Sequence, residues 1–508
     1  MSPAPNTEAE RARPVDWVAL GAIVLAGLAL RVYEAGRAPM WFDEIYTTWA
    51  ARGGFARVLA LMASDVHPPL HTLLVSAWVS LGGEATAWLR TLSVVFGLAT
   101  IVAVFLLTRA AFGRQAGLVA AALLALHPVH TYFSQESRVY ALLWLELAMA
   151  WWLAWRWLEG GRARANGPDG WSYVAIATLA LYTHYLAGLV LAFTAAGGLA
   201  LCLTERGTHR KDGAGGHPSE GWVRRALEWA GLHVAIAVLF APQVTMFVAQ
   251  NSRLASGHWI APADARDLRD WIRHMTADTG FLIPVFAALG ALAFVRPENR
   301  RPAAFLVWSA AGPVLFAWWL GSKGAHVFSA RYMYFSLPPL LAVAAAGFDV
   351  VAGWGRGRPG LAKFAPWALL AAILMLQVRD VVWSRPPDEA AALDRASHWL
   401  REEARPGDVV YCADTHALLF LAHYEPQLRV RLVWFDPTLP YFEGGLVIPD
   451  SLRCRPEDFV AAASPDRRWW GVRVRQGGTN GPRAEAMFDS TAAGPPRRFD
   501  EATVWGPK

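Results

Sequence analysis

The sequence predicts a polytopic α-helical membrane protein: about eleven transmembrane helices, juxtamembrane helices in the first outer loop and a small C-terminal α/β extracytoplasmic domain. Three observations carry that expectation. Of 508 residues, 55% are hydrophobic and 26 are Trp, and mean hydropathy is positive. Apolar runs of about 18 residues or more, long enough to span a bilayer, recur to about Trp383 and then stop. Lys and Arg collect in the short loops between runs, where they set the orientation of membrane helices. The formal charge of +6 therefore reports topology. No nucleic-acid motif or basic tail is present, so no nucleic-acid partner is expected.

The first run, Val15 to Val32, follows Arg11 and Arg13, which places residues 1–14 in the cytoplasm. No small-residue cleavage site follows it, so it reads as a span and not as a signal peptide. The other spans are expected at 87–108, 115–131, 137–158, 171–183, 185–204, 226–249, 278–295, 303–320, 332–352 and 365–383. One set of loops is basic: Arg109 with Arg114; Arg156, Arg162 and Arg164; Arg206, Arg210, Lys211, Arg224 and Arg225. It continues with Arg296, Arg300 and Arg301, then Arg356, Arg358 and Lys363. These loops should be cytoplasmic. The alternate set, 33–86, 132–136, the 183–185 junction, 250–277 and 321–331, is richer in His, Tyr, Ser and acids and should face outward.

His67 to Gly82 is apolar but short, and counting it as a span would turn the later basic loops outward. Residues 69–82 therefore read as a re-entrant or interfacial helix opened by Pro68-Pro69. An odd span count puts residues 384–508 outside the plasma (inner) membrane. In that tail, Asp388 to Ala404 is helix-like, and Pro406-Gly407-Asp408 turns into a strand at Val409-Val410-Tyr411. A second helix is expected at 415–424, with β-rich runs at 428–435, 468–475 and 502–505. The tail has no Gly-rich phosphate loop and is given no nucleotide role. Cys202 reads as a core residue, and a Cys412–Cys454 disulfide is open to a tail in an oxidising compartment.

The unusual polar residues gather on the outer side: Asp43, Glu44, Asp65, His67, His71, Gln135, Glu136, Arg138, His184, Tyr185, His326 and Arg331. Ionisable groups at membrane depth are costly and are kept for function or pairing. Asp43 can act as a general base toward an acceptor hydroxyl; the competing reading of Asp43-Glu44 is a solvated loop charge or a helix cap. In Asp65-Val66-His67-Pro68-Pro69-Leu70 the prolines extend the backbone, so that His67 can donate to a phosphate or a sugar hydroxyl. In the segment from Ser134 to Tyr140, Arg138 can pair with Glu136 or Asp43, bind a phosphate, or snorkel at a span end. Tyr182 to Tyr185 and Ser329 to Tyr332 add polar groups at the same depth, and Lys323 and Arg331 are candidate anion contacts. His67, His127, His130, His184 and His326 could instead hold a divalent metal, but no tight ligand motif is present, so no cofactor or metal is assigned.

An Asp-Glu pair in the first outer loop, then His67 to Leu70, then Gln135, Glu136, Arg138 and Tyr140, resembles the GT-C type membrane glycosyltransferases. The likeness is to the bacterial branch of the protein O-mannosyltransferase and aminoarabinose transferase superfamily, over most of residues 15–383. Ala330-Arg331-Tyr332 followed by Leu337-Pro338 is similar to a later family element, whereas Ser137 and Val139 stand where Ala and Met are expected. The resemblance implies a transferase domain at 15–383 that uses a polyprenyl-phosphate-linked sugar. Asp43 and Glu44 would be catalytic. His67, Gln135, Glu136, Arg138, Tyr140, His184, Tyr185, Lys323 and Arg331 would contact substrate. The acceptor would be an envelope glycan, a lipid or a protein. A transporter or flippase is the main rival, but no internal repeat is visible and the polar residues favour one face over the midplane. A non-catalytic scaffold is the third reading.

Overall fold

The computed structural model describes residues 13–33, 35–160, 167–204, 218–254, 260–277, 280–356, 359–383, 388–463, 468–474, 480–492 and 494–507. Residues 1–12, with Arg11, and the basic-loop residues Arg162, Arg164, Arg206, Arg210, Lys211 and Arg358 lie outside the described residues.

The chain opens with α1 (Pro14–Tyr33), and the first long loop then folds into α2 (Phe42–Ala51), α3 (Phe55–Met62) and α4 (Leu70–Gly82). Next come α5 (Thr86–Phe112), α6 (Arg114–Ala125), α7 (Pro128–Ser134), α8 (Tyr140–Glu159), α9 (Pro168–Thr183), α10 (Leu186–Thr204) and α11 (Pro218–Leu254). The helical part ends with α12 (Ala265–Met275), α13 (Leu282–Ala293), α14 (Pro297–Ser322), the single turn α15 (Ala330–Met333), α16 (Leu337–Arg356) and α17 (Ala365–Trp383). Every apolar run expected to span contains a helix, and the 69–82 segment is the short helix α4.

Among the described residues, α1, α5, α10, α11, α14, the α15–α16 unit and α17 are long and apolar enough to cross a membrane. The pair α6–α7, bent by 63°, makes an eighth span if counted as one. Eleven is reached only by adding the tryptophan-rich α8 and two shorter helices, α9 with 16 residues and α13 with 12. At about 1.5 Å per residue the last two fall short of a hydrocarbon core about 30 Å thick, so the span count is approximate. Val18 and Leu25 on α1, Leu227 and Val238 on α11 and Met375 on α17 are exposed apolar side chains, as a lipid-facing surface requires.

Two details hold the bundle together. Pro128 opens α7 after the bend, and Arg31 of α1 reaches into that break. Its Nη1 donates to the carbonyl oxygens of Ala125 (2.9 Å) and Gly27 (2.8 Å), and its Nη2 meets His130 Nδ1 at 2.7 Å. The break's free carbonyl thus gains a buried donor. Elsewhere, α16 packs so closely on α13 that a Cβ at Gly347 would sit 1.7 Å from the Leu289 carbonyl oxygen. Only glycine fits there.

The C-terminal region folds as α18 (Asp388–Glu403), β1 (Val409–Cys412), α19 (Thr415–Tyr424), β2 (Arg429–Val433), β3 (Arg453–Cys454), α20 (Pro456–Ala462), β4 (Trp469–Val474), α21 (Asn480–Thr491), β5 (Arg497–Phe499) and β6 (Ala502–Trp505). The sheet order is β3-β2-β1-β4-β6-β5. Its first four strands are parallel, and β6 and β5 join antiparallel. Strands alternate their side chains between faces. Val410, Cys412, Leu432 and Val472 share one hydrophobic cluster with α18 and α19, while Tyr411, Val433 and Trp469 pack with Phe459 and Phe488 in another. The expected helices and strands are present; the short edge strands β3 and β5 were not anticipated.

The open disulfide question resolves against a bond. Cys412 and Cys454 are both free thiols, on strands separated by β2. Two strand spacings of about 4.8 Å exceed the reach of a disulfide. Cys202 is buried in α10, as expected of a core residue.

The sheet region docks on the first loop through α19 and α2. Met40 N donates to Tyr424 Oη (2.7 Å), and that hydroxyl also bonds Thr86 Oγ1 (3.0 Å). His416 stacks on Phe42. A single hydrophobic cluster runs from Phe42, Ile45 and Val58 to Leu418, Leu421 and Val410.

Candidate active site

The site is built on the first turn of α2. Trp41 is the extended residue before the helix, and no side chain caps it. Asp43 and Glu44 occupy the first turn, where negative charge is favourable against the helix dipole. Successive helical residues point about 100° apart, so the two carboxylates have different fates.

Glu44 turns inward and is fully buried. Its carboxylate takes a two-pronged contact from Arg90 of α5, Nε to Oε1 at 2.9 Å and Nη2 to Oε2 at 2.6 Å. It also accepts from Ser137 N at 2.8 Å. Arg90 gives its remaining donors to the carbonyl oxygens of Ala35, Ala38 and Pro39. Glu44 therefore ties together α2, α5 and the turn before α8. Arg90, absent from the sequence-based candidates, left one signal: a cation four residues into a long apolar run.

Asp43 keeps its side chain 24% exposed. Its Oδ2 lies 3.4 Å from Arg138 Nη2 and 3.3 Å from Arg331 Nη1. Among the described residues Oδ1 has no hydrogen-bond partner. Arg138 is held in place by donating to the Asp43 carbonyl oxygen (3.2 Å) and Thr47 Oγ1 (2.8 Å). Arg331 lies over the Trp41 ring, 5.5 Å from its centroid. Residues 288 positions apart thus meet on one oxygen.

Around this centre the sequence-based candidates separate into two groups. Glu136 is buried beside it; burial and the nearby charge of Glu44 push its carboxyl up to about 8. Tyr140, Tyr332, His184 and His67 form an arc of rings, with centroids 6.2, 5.3 and 6.1 Å apart in turn. His67 Nδ1 faces Asp65 Oδ1 at 3.2 Å, and Tyr46 donates to Asp65 Oδ2 at 2.8 Å. Burial opposes charge on Asp65, but His67, the Val66 amide and Tyr46 outweigh it and hold the carboxyl below its usual range. A cavity of about 30 Å³ is lined by Tyr46, Thr47, Asp65, His67, His71 and Arg138 among others. It has room for about one water.

The second group makes no hydrogen bond or ion pair with the Asp43 side chain among the described residues. Gln135 Nε2 donates to the carbonyl oxygens of Leu30 and Arg31 at the end of α1. Tyr185 donates to Gln250 and accepts from Gln243 Nε2 at 3.0 Å, both on α11. Lys323 is exposed at the end of α14 and makes no hydrogen bond or ion pair with the Asp43 cluster. The histidines weighed as metal ligands disperse: His127 faces the Met275 carbonyl, His130 faces Arg31, and His326 faces the Ile260 carbonyl. Among the described residues no three His, Cys, Asp or Glu side chains are grouped to hold a metal.

Comparison with known proteins adds to this geometry. Residues 66–212 match the family model described as dolichyl-phosphate-mannose-protein mannosyltransferase. That span includes His67, Arg138 and His184 and stops short of Asp43 on the N-terminal side. No curated protein sequence matches the chain. The fold is similar to that of ArnT from Cupriavidus metallidurans in the apo state, with a TM-score of 0.62 and 14% identity over 97% of this chain and 98% of that one. The same protein bound to undecaprenyl phosphate gives 0.61 and 15% over the same shares. The Archaeoglobus fulgidus oligosaccharyltransferase tethered with an acceptor peptide matches at 0.51 and 13%, over 82% of this chain and 63% of that one. Residues 66–212 are thus similar to the mannosyltransferase family, and the chain as a whole shares the fold of ArnT.

Proposed function

We propose that the protein transfers a sugar from a polyprenyl-phosphate carrier to an acceptor hydroxyl at the extracytoplasmic face of the plasma membrane, with inversion and with Asp43 as general base. The observation that carries this reading is the asymmetry of Asp43: two guanidiniums hold Oδ2, and Oδ1 is left without a partner among the described residues. The relative bound to undecaprenyl phosphate, alike over nearly the whole of both chains, supports the choice of carrier.

In this mechanism Asp43 Oδ1 takes the proton of the acceptor hydroxyl while its oxygen bonds to the anomeric carbon. The bond from that carbon to the carrier's phosphate oxygen breaks, and the electron pair leaves with the phosphate. Arg138 and Arg331 offset the charge that develops there. Glu44 acts through Arg90 and Ser137 N as a positioning residue, and His67, His184 and Tyr140 line the approach. The catalytic domain is 15–383, with residues 1–14 cytoplasmic and 384–508 extracytoplasmic; the acceptor is an envelope glycan, lipid or protein.

The test is a reconstituted assay in proteoliposomes supplied with polyprenyl-phosphate sugars, following release of polyprenyl phosphate. The wild type should turn over and Asp43→Asn should lose about 10²–10⁴-fold in rate while remaining folded. Near-normal turnover by Asp43→Asn would remove the base assignment.

A further inference from the structure

A second cavity lies in the C-terminal region, against the sheet face that packs on Phe459. It measures about 750 Å³ and is lined by Arg429, Arg431, Arg453 and Arg468, with Asp408 and Asp458 and the rings of Tyr411 and Trp469. This face is opposite the one that packs against α19, so the cavity is separate from the Asp43 site.

The arginines are not spent equally. Arg468 pairs with Asp408 at 3.3 Å, and Arg453 pairs with Asp450 at 3.0 Å. Arg429 and Arg431 make no ion pair with a carboxylate among the described residues. They stand two apart on β2, on one face, while Val430 and Leu432 between and beyond them are buried on the other. β3 pairs only with Leu432 and Val433, so the Arg429 to Arg431 stretch of β2 is left open on that side. Charges on an open strand edge also deter pairing with other chains. That role requires neither a cavity nor arginines contributed by three separate segments.

We infer that this cavity binds an acidic saccharide, held by the Arg429 and Arg431 guanidiniums through its carboxylate or phosphate groups. Planar guanidinium forks match such groups in two-pronged contacts. A volume of 750 Å³ falls in the range of pockets that enclose a ligand of several rings, about 300–1,000 Å³. A lone phosphate would fill little of it, whereas a chain of sugar rings carrying several acidic groups could reach both guanidiniums. The site would hold a polymeric or lipid-linked acidic glycan on the outer domain, away from the reacting centre. It does not depend on the catalytic reading.

The test is direct binding to the full-length protein in nanodiscs of neutral lipid. Fluorescently labelled tetragalacturonate is the probe, maltotetraose is the uncharged comparator, and phosphatidylglycerol vesicles are the lipid arm. The wild type should bind tetragalacturonate and not maltotetraose, with affinity falling as salt rises. Arg429→Gln with Arg431→Gln should weaken binding at least tenfold, and the double Lys variant, which keeps the charge and loses the forks, should fall between. Equal binding by wild type and the Gln variant overturns the proposal. So does arginine-dependent capture of the vesicles without binding of the saccharide. Unchanged Asp43-dependent turnover in the Gln variant is the expected result, because these side chains lie outside the catalytic cluster.

Discussion

The imidazole of His416 lies flat on the ring of Phe42, centroids 4.1 Å apart and planes 14° from parallel. Phe42 immediately precedes Asp43, so a residue of the C-terminal domain rests on the turn that carries the proposed base. Glu389 contacts the His416 ring, and Asp414 and Glu443 add negative charge around it. A charged imidazole over an aromatic face is held by cation–π attraction. His416→Ala should lower kcat several-fold with little change in donor KM, and His416→Phe, which keeps the stacked ring, should recover much of it. Identical kcat in wild type and His416→Ala, measured in proteoliposomes, would show that the joint is irrelevant to turnover.

The same joint sets a pH dependence. Burial opposes charge on His416, but Glu389, Asp414 and Glu443 outweigh it and push its pKa up to about 9. A folded-state pKa above the unfolded one means the contribution is complete below about 6.5. It is lost as pH rises through about 9. Asp414, raised by burial to about 6, loses its own contribution at lower pH, as pH rises from about 3.8. The difference in unfolding temperature between wild type and His416→Phe should therefore shrink between pH 6.5 and 9.5. A constant difference across that range would contradict the assignment.

Glu44 and Arg90 form a buried pair whose separation should be costly. Removing one partner of such a pair typically costs about 3–5 kcal/mol, because the other charge stays buried and unpaired. Arg90→Met and Glu44→Gln should each lower the unfolding temperature markedly, and the double variant should lose less than the sum of the two. Additive losses in thermal unfolding would mean the pair is not coupled.

Arg138 and Arg331 should prove intolerant of lysine. Each reaches Asp43 Oδ2 with one guanidinium nitrogen while other contacts orient the group. Arg331→Lys keeps the charge but loses that geometry and should reduce kcat by about 10²-fold, the scale of losing one preorganised donor. Lys323→Ala, remote from the cluster, should leave kcat unchanged. Single-turnover measurements with bound donor separate this from weakened binding.

Orientation is open to chemical labelling. In a Cys454→Ser background, Glu457→Cys on the exposed start of α20 should react with a membrane-impermeant maleimide on intact cells. Protection of that site until the cells are lysed would reverse the assignment of the tail to the outer side.

Much of this was legible in the chain because membrane helices are written as continuous apolar runs, which need no partner to be recognised. The tail's β1 and α19 were equally local, set by the Pro406-Gly407-Asp408 turn and by Asp414, whose side chain accepts from Ala417 N at 2.8 Å. What the sequence hid was pairing at a distance. Nothing local says that Glu44 spends its charge on Arg90, 46 positions away. Gln135 and Tyr185 sit among the family-like segments, yet their hydrogen bonds go to α1 and α11. Polar residues at one depth share a side of the membrane but not necessarily a cavity. The α6–α7 bend breaks a run read as one span at 115–131, and Arg31 donates to the Ala125 carbonyl at that break from 94 positions away.

The shared hydrophobic cluster beneath α2 and α19 bears on how the protein comes into being. Its two halves, ending at Leu92 and starting at Ala390, emerge from the ribosome 298 residues apart, separated by most of the membrane helices. A nascent chain can therefore insert its bundle long before the Asp43 turn is seated, and the proposed chemistry should become possible only when the C-terminal domain has closed onto the first loop.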